Sequence, residues 1–204
     1  MAEVRFELLA ESDLQVGATY LWGREPNLKA EPLNRLLGVG NVGGFRWRGQ
    51  MEQAPFVVIT SNNKNAQWPD SFDRDTGSLT YFGDNRIGHD LTATKGNKLL
   101  GYVQQLLLRK DRAKIPPFLY FTKSTNPKGW VFEGVFYPSY GDPWINDWPE
   151  IVIGGKAKQF ANYRAAFQRT EDQLISRSAL QAGSNLGLSL DGFRHWILGQ
   201  RRIL

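Results

Sequence analysis

Short β-type segments constrain the fold of this chain more than any other feature of its sequence. The segments are rich in Val, Ile, Phe, Tyr and Thr, and they are bounded by clusters of Gly, Pro, Asn and Asp. Such residues favour the strands of a sheet or a barrel. We therefore predict strands at Pro55–Thr60, Ser78–Phe82, Pro117–Thr122, Trp130–Tyr137 and Phe160–Phe167.

Helical patterns are fewer. The segment Asn97–Arg109 carries apolar residues at the spacing of an amphipathic helix, and Asn97 could cap its first turn. We also predict helices at Pro32–Leu37 and at Thr170–Ala182, whose first residues resemble a capping box. Strands flanked by a few helices indicate an α+β fold.

The length and the composition limit the class of protein. A chain of 204 residues fits one large β-rich core, and two full domains are unexpected. The chain has no long apolar run and no signal-like start, so we expect a cytoplasmic protein that contacts no membrane. Cysteine is absent and only two histidines are present, which excludes disulfides, thiolate zinc sites and cysteine nucleophiles.

The basic residues are unevenly distributed. The sequence has 25 basic and 20 acidic residues, a formal net charge of +5. Residues 38–114 hold 11 basic against 7 acidic residues, and residues 156–204 hold 8 against 3. Together with 13% aromatic residues, these basic segments favour an aromatic-lined nucleic-acid site over an acidic protein partner.

A polar loop follows the predicted strand Ser78–Phe82. An aromatic ring, a carboxylate, an amide and a guanidinium stand close together there, in Tyr81, Asp84, Asn85 and Arg86. This set suits a base flipped out of a duplex, because a ring stacks on the base, a carboxylate accepts from an amino group and a cation binds a phosphate. The alternative is a turn in which Asp84 and Asn85 bond to their own backbone.

A second unusual segment is Gly38–Arg48. Its glycines permit close approach of the backbone to a partner, and aromatic and basic residues alternate from Phe45 to Arg48. The segment is not a dinucleotide fingerprint, because no apolar strand precedes the glycines and no helical pattern follows them. A glycine-rich connection with two solvated arginines is the alternative.

The catalytic motifs that we considered do not occur in the sequence. An acid-x-Lys nuclease strand fails because the lysine of Glu150–Lys156 stands six positions after the acid. A P-loop and a serine hydrolase elbow are missing. Paired carboxylates acting on a sugar stay open as an enzyme alternative, although no spacing brings two of them together. We expect this chain alone to be non-catalytic, with no cofactor and no metal.

Several blocks, in order, resemble the N-terminal DNA-recognition domain of AspBHI-type restriction endonucleases, which cut modified DNA. The blocks are GNVGGFR (40–46), WPD (68–70), LTYFGDNRIG (79–88), TKGNKLL (94–100), IPPFLYF (115–121) and QFANYRAAF (159–167), and the resemblance spans roughly residues 10 to 180. It implies an SRA-like (PUA-like) curved β-sheet or barrel with flanking helices, in a domain at residues 1–185. Residues 186–204 would then be an extension or the start of a linker to a nuclease domain in the same full-length polypeptide.

The resemblance further implies that the domain reads 5-methylcytosine or 5-hydroxymethylcytosine in double-stranded DNA by base flipping, for a modification-dependent restriction endonuclease. An ionised Asp84 would accept from the cytosine amino group and repel the thymine carbonyl. A PUA-like reader of RNA or of a modified RNA base is the alternative. The implied pocket comprises Tyr81, Gly83, Asp84 and Asn85, with Phe82, Trp47 or Trp68 as the second stacking ring. The candidate DNA-binding residues are Arg46, Arg48, Lys64, Arg86, Lys95, Asn97, Lys98, Lys156 and Lys158.

Overall fold

The structure is a computed structural model that describes residues 2–24, 28–62, 69–139, 144–147, 150–153, 156–183 and 185–199. The chain divides into two compact units. The first comprises Met1–Asn63, Pro116–Tyr137 and Thr170–Leu204, and the second comprises Lys64–Ile115 and Pro138–Arg169.

Strands make up most of the regular structure. The helices are α1 (Pro32–Leu37), α2 (Lys95–Leu108), α3 (Arg177–Gln181) and α4 (Asp191–Ile197), with short 3₁₀ turns between other elements. In chain order the strands are β1 (Glu3–Val4), β2 (Leu14–Gln15), β3 (Thr19–Leu21), β4 (Phe45–Arg46), β5 (Val57–Ser61), β6 (Ser71–Phe72), β7 (Ser78–Phe82), β8 (Phe118–Thr125), β9 (Lys128–Pro138), β10 (Trp144–Asp147), β11 (Glu150–Ile153), β12 (Lys156–Gln159), β13 (Asn162–Arg169) and β14 (Leu174–Ile175).

The first unit is built on a mixed sheet in the order β1–β3–β9–β8–β5–β4. The long strands β8 and β9 are antiparallel, whereas β5 runs parallel to β8. Aromatic side chains of β8 and β9 fill the core: Tyr120 meets Phe136 edge-on at 5.5 Å between ring centroids, and Phe121 packs against Phe132 at 5.0 Å. Such pairs stabilise a core beyond the area that they bury.

A buried carboxylate ties three parts of the first unit together. Glu31 Oε2 accepts from the backbone N–H of Asn34 at 2.9 Å and thereby caps α1. Its Oε1 accepts from Arg46 Nη1 at 2.7 Å and from Trp130 Nε1 at 3.0 Å. The side chains of Arg46 and Glu31 are only 5% and 2% exposed, so each buried charge needs the other as its counter-charge.

The second unit contains the antiparallel strands β6–β7–β13–β10 and the separate hairpin β11–β12. On β7, Leu79 and Tyr81 are buried, while Ser78, Thr80 and Phe82 alternate with them and point to the other face. Helix α2 buries the stripe Leu99, Leu100, Val103 and Leu106, as its apolar periodicity predicts.

Most of the predicted elements are confirmed. The structure confirms the α+β class, the strand Ser78–Phe82 and the helix Pro32–Leu37. The other predicted strands are present and differ only at their ends. The predicted helix Thr170–Ala182 is wrong, since helix α3 starts only at Arg177. Residues 174–175 instead pair with β2, and Ser176 Oγ accepts from the backbone N–H of Ala179 as the actual cap.

Residues that we assigned to a C-terminal extension contribute to the core of the first unit. Phe193 and Trp196 of α4 are buried, and the Trp196 ring stacks on Tyr137 at 5.2 Å. The backbone N–H of Leu186 donates to the carbonyl of Pro55 at 2.9 Å. The domain boundary at residue 185 stays a prediction.

Among the described helices, none has the length and apolar character required to cross a bilayer.

The Glu31 ion pair gives a stability prediction. Glu31→Gln removes the negative charge and leaves the Arg46 guanidinium buried without a counter-charge, so we expect a loss of about 3–5 kcal/mol in the free energy of unfolding. Urea denaturation followed by tryptophan fluorescence measures this. Asp111→Asn breaks the exposed Lys114–Asp111 pair and is the matched control, with an unchanged unfolding curve expected. A Glu31→Gln variant with the wild-type midpoint would contradict the assignment.

Candidate nucleic-acid interface

The loop after β7 begins with a close approach that only glycine permits. A Cβ atom at position 83 would lie 1.8 Å from Asn97 Oδ1 and 2.5 Å from Asn162 Oδ1. Real Cβ atoms essentially never approach other atoms below 3.0 Å. Gly83 is therefore a packing requirement of the loop.

Two fully buried asparagines hold the loop backbone at this point. Asn97 Oδ1 accepts from the backbone N–H of Asp84 at 3.0 Å, and Asn97 Nδ2 donates to the carbonyl of Leu91 at 2.7 Å. Asn162 Nδ2 donates to the carbonyl of Gly83 at 3.1 Å. Both asparagines are 0% exposed, so their amides serve the backbone and cannot reach DNA. The predicted role of Asn97 as a DNA contact is withdrawn for this reason.

Asp84 caps helix α2. Its Oδ1 accepts from Thr94 Oγ1 at 2.6 Å and from the backbone N–H of Asn97 at 2.9 Å, and its Oδ2 accepts from the backbone N–H of Gly96 at 3.0 Å. A carboxylate is favoured at a helix N-terminus because it satisfies free N–H groups and complements the helix dipole. Our expectation that Asn97 caps this helix is wrong, because Asp84 supplies the cap from outside the helix.

A second carboxylate lies at the same strand end, and the sequence analysis did not assign it to the pocket. Asp70 Oδ1 accepts from the backbone N–H of Phe82 at 3.1 Å, and the Asp70 side chain is half-buried. The bond fixes the carboxylate beside the last residue of β7. No spacing rule distinguishes Asp70 from the other acids of this segment, since its partner is a backbone group 12 positions away.

The predicted aromatic and amide residues of the pocket differ in accessibility. Tyr81 is 3% exposed on the inner face of β7, whereas Phe82 is half-buried. Asn85 is buried, and its Nδ2 donates to the carbonyl of Ala161 at 2.6 Å while its Oδ1 has no hydrogen-bond partner. Trp47 is half-buried in the first unit, and Trp68 lies outside the described residues.

The predicted basic contacts fall into groups. Three of the predicted contacts are exposed in the second unit: Arg86 in the loop, and Lys95 and Lys98 in the first turn of α2. Arg46 is buried in its pair with Glu31, which argues against a phosphate contact. Arg48 is half-buried in the first unit. Lys64 lies outside the described residues, as do the side chains of Lys156 and Lys158 on β12.

A groove of about 260 Å³ lies on the second unit, beside β7. Polar and apolar side chains line it in equal measure, among them those of Ser71, Asp73, Thr80, Leu79 and Phe167, and none of the described predicted pocket residues does. Within the described part of the chain, no group of three or more His, Asp and Glu side chains is arranged to hold a metal ion.

Comparison with known proteins identifies the family. Residues 14–203 match the family described as restriction endonuclease AspBHI N-terminal. The chain belongs to the AspBHI N-terminal domain family. As a member of this family, it resembles the solved DNA modification-dependent restriction endonuclease AspBHI with a TM-score of 0.84 and 30% identity. That match covers 96% of this chain and 53% of AspBHI, so the chain spans about half the length of that relative.

Two further solved structures resemble this AspBHI N-terminal domain. The DNA recognition domain of the cytosine modification-dependent restriction endonuclease LpnPI matches with a TM-score of 0.85 and 30% identity, over 97% of this chain and 93% of that domain. The MspJI restriction endonuclease in complex with a 27-mer oligonucleotide shares the fold with a TM-score of 0.52 and 19% identity, over 91% of this chain and 45% of MspJI. Among curated proteins, none matches this chain.

The close approach at Gly83 gives a prediction. Gly83→Ala places a methyl group onto the Asn97 and Asn162 amides, so we expect a loss of at least about 2 kcal/mol in unfolding free energy. Gly40→Ala is the control, because a Cβ there meets no atom within 4 Å. Thermal unfolding of both variants measures the difference. Equal melting temperatures for the two variants would show that the loop tolerates the methyl group.

Proposed function

We propose that this chain reads modified cytosine, 5-methylcytosine or 5-hydroxymethylcytosine, in double-stranded DNA. The observation that carries the proposal is the 30% identity over 97% of the chain with a domain described as the DNA recognition domain of a cytosine modification-dependent endonuclease. The basic segments and the polar loop after β7 are consistent with it. The matches give no support to the RNA-binding alternative.

The reading mechanism that we propose is base flipping. Taking a base out of the duplex costs a few kcal/mol, and stacking on an aromatic ring returns about 1–3 kcal/mol. Phe82 is half-buried at the strand end that would receive the base, whereas Tyr81 is buried there and would have to become accessible to stack on it. Phosphate contacts supply the remainder, and the exposed Arg86, Lys95 and Lys98 all follow Asp84 in the chain. These contacts determine the affinity but carry no base specificity.

We assign recognition of the cytosine amino group to Asp70 and a positioning role to Asp84. The three hydrogen bonds that Asp84 accepts commit its carboxylate to α2. Asp70 is oriented at the end of β7 by the N–H of Phe82. A carboxylate accepts from the amino group of cytosine and repels the carbonyl of thymine, which discriminates strongly in a desolvated site. A methyl group in an apolar notch adds only about 0.8 kcal/mol, so the methyl group alone gives a preference of a few-fold.

We also propose that the chain works as the recognition module of a modification-dependent endonuclease. The relative AspBHI is named as such an endonuclease, and this chain covers 53% of it. In the proposed arrangement a nuclease domain belongs to the same full-length polypeptide, which acts in the cytoplasm. These 204 residues would bind modified DNA without cutting it.

Binding assays with matched variants test the proposed function. The wild-type chain should bind a methylated duplex more tightly than the unmodified duplex and than single-stranded RNA, as measured by fluorescence anisotropy. Asp70→Asn keeps an oxygen for the Phe82 N–H, but its NH2 group would face the cytosine amino group, which is also a donor. The amino group then has no acceptor in the pocket, which costs about 1–3 kcal/mol. We therefore expect a roughly tenfold or greater loss of affinity for methylated DNA.

Asp84→Asn is the control for Asp70→Asn. Asparagine keeps one acceptor oxygen but turns an NH2 group toward a donor that Asp84 now bonds, so this variant should unfold at a lower temperature while it keeps the ratio of affinities for methylated and unmodified duplex. If Asp84→Asn loses the preference and Asp70→Asn keeps it, the two roles are reversed. If the wild-type chain binds all three nucleic acids equally, the proposed function is wrong.

Salt dependence tests the phosphate contacts separately. Each neutralised phosphate lowers log K by about 0.9 per log unit of salt. With four to six basic contacts, we expect a slope of roughly −4 to −5 when the affinity for a short duplex is measured at several salt concentrations. A slope near zero would exclude a basic DNA-binding face.

A further inference from the structure

Two arginines of the first unit lie close together without an acidic partner. Arg48 precedes the 3₁₀ turn at Met51–Gln53, and Arg177 is the first residue of α3. Burial, and after it the positive charge of Arg48, lower the pKa of Arg177 from its ordinary value. Their contacts place the two side chains in one region. Arg48 donates to the carbonyl of Leu180, in the helix that Arg177 begins, and Arg177 donates to the carbonyl of Leu36, two residues before the glycine beside Arg48 Cδ.

Both guanidinium groups contact backbone carbonyls at helix ends. Arg48 Nη2 donates to the carbonyl of Leu180 near the end of α3 at 2.9 Å. Arg177 Nη1 donates to the carbonyl of Leu36 near the end of α1. Helix C-termini attract cations, so these bonds hold the two side chains in place. A carbonyl carries only a partial charge, however, and does not neutralise a guanidinium.

The pair has more donors than the described residues satisfy. A guanidinium has five N–H donors. Arg177 Nε is buried without a hydrogen-bond partner, so a phosphate from outside would meet the other N–H groups of this half-buried side chain. Neither arginine forms an ion pair with a described acid. The nearby carboxylate of Asp13 accepts from the backbone N–H of Arg177 at 2.7 Å, which is a contact with the main chain.

The surroundings of Arg48 are built to hold its side chain in one position. Its guanidinium lies over the ring of Phe56, 5.3 Å from the centroid. A Cβ at position 38 would lie 3.2 Å from Arg48 Cδ, and Gly38 has a φ of +67°, a conformation that side chains rarely adopt. A cation held in this way loses little side-chain entropy when it binds a ligand.

We infer that Arg48 and Arg177 together bind one phosphate group of the DNA backbone. Two guanidinium groups present forked donors that match phosphate oxygens, and a phosphate neutralises the like charges that the fold brings together. The inference rests on the proposed function, since it takes bound DNA as the source of the phosphate. It adds Arg177, which the sequence analysis did not select, to the DNA-binding residues.

The test is the salt dependence of duplex binding by Arg48→Gln and Arg177→Gln. We expect each variant to bind methylated and unmodified duplexes about tenfold more weakly, by the same factor for both, with a salt slope shallower by at most about 0.9, because both arginines bind the same phosphate. Arg194→Gln removes the same charge from the exposed Arg194–Asp191 pair and should leave the slope unchanged. Arg177→Lys keeps the charge and should retain most of the slope if Arg177→Gln does not fold.

Several outcomes would overturn the inference. Slopes for Arg48→Gln and Arg177→Gln that equal the wild-type slope would remove the pair from the interface, and the preference for methylated DNA would stand untouched. Loss of affinity in Arg194→Gln equal to that in Arg177→Gln would show a general charge effect. If inorganic phosphate raises the melting temperature of the wild type but not that of Arg177→Gln, and the salt slopes of DNA binding are equal for wild type and variants, the site binds a free anion and not DNA. A wild-type chain without preference for methylated DNA instead refutes the proposed function.

Discussion

The close packing at Gly83 is the constraint on which the candidate interface depends. Two buried asparagine amides occupy the space that a side chain at this position would need. They bond to the backbone of Gly83 and Asp84, and Asp84 in turn caps α2. The end of β7, the loop and the start of α2 are thereby joined by one polar network. Hydrogen bonds from the two buried asparagines fix the backbone of Gly83 and Asp84, and a pocket for a base requires such a fixed loop geometry.

Two charged residues that the sequence assigns to DNA have structural roles instead. Arg46, a predicted DNA contact, neutralises the buried Glu31. Asp84, the predicted acceptor for the base, caps a helix. In the proposed function, recognition of the base falls to Asp70, whose carboxylate accepts from the backbone N–H of Phe82, and phosphate binding falls to basic groups at the surface. Structural and functional roles are thus divided among residues of the same chemical type.

Sequence patterns predict the elements of this fold well when the decisive contacts are local. The strand Ser78–Phe82 is predictable from its β-type residues and the turn residues that bound it, and the buried stripe of α2 is predictable from its apolar spacing. The errors arise from partners that are distant in the chain. Residues 174–175 pair with β2 instead of entering a helix, and α2 receives its cap from Asp84.

The candidate site follows the same rule. The polar loop and Gly83 could be selected from the sequence because several unusual residues are adjacent there. Asp70 could not, because its backbone partner is 12 positions away, and Arg177 could not, because its relation to Arg48 exists only in the folded unit. Family resemblance adds the class of ligand, which the physical reading of this chain alone leaves open between DNA and RNA.

The most direct test of the account is whether the bound modified cytosine leaves the stack. A 2-aminopurine placed next to 5-methylcytosine in a duplex reports this, because its fluorescence rises when the neighbouring base no longer stacks on it. The account predicts a rise on saturating binding to the methylated duplex and no rise with the unmodified duplex. Saturated binding to the methylated duplex without a change in fluorescence would contradict base flipping by this domain.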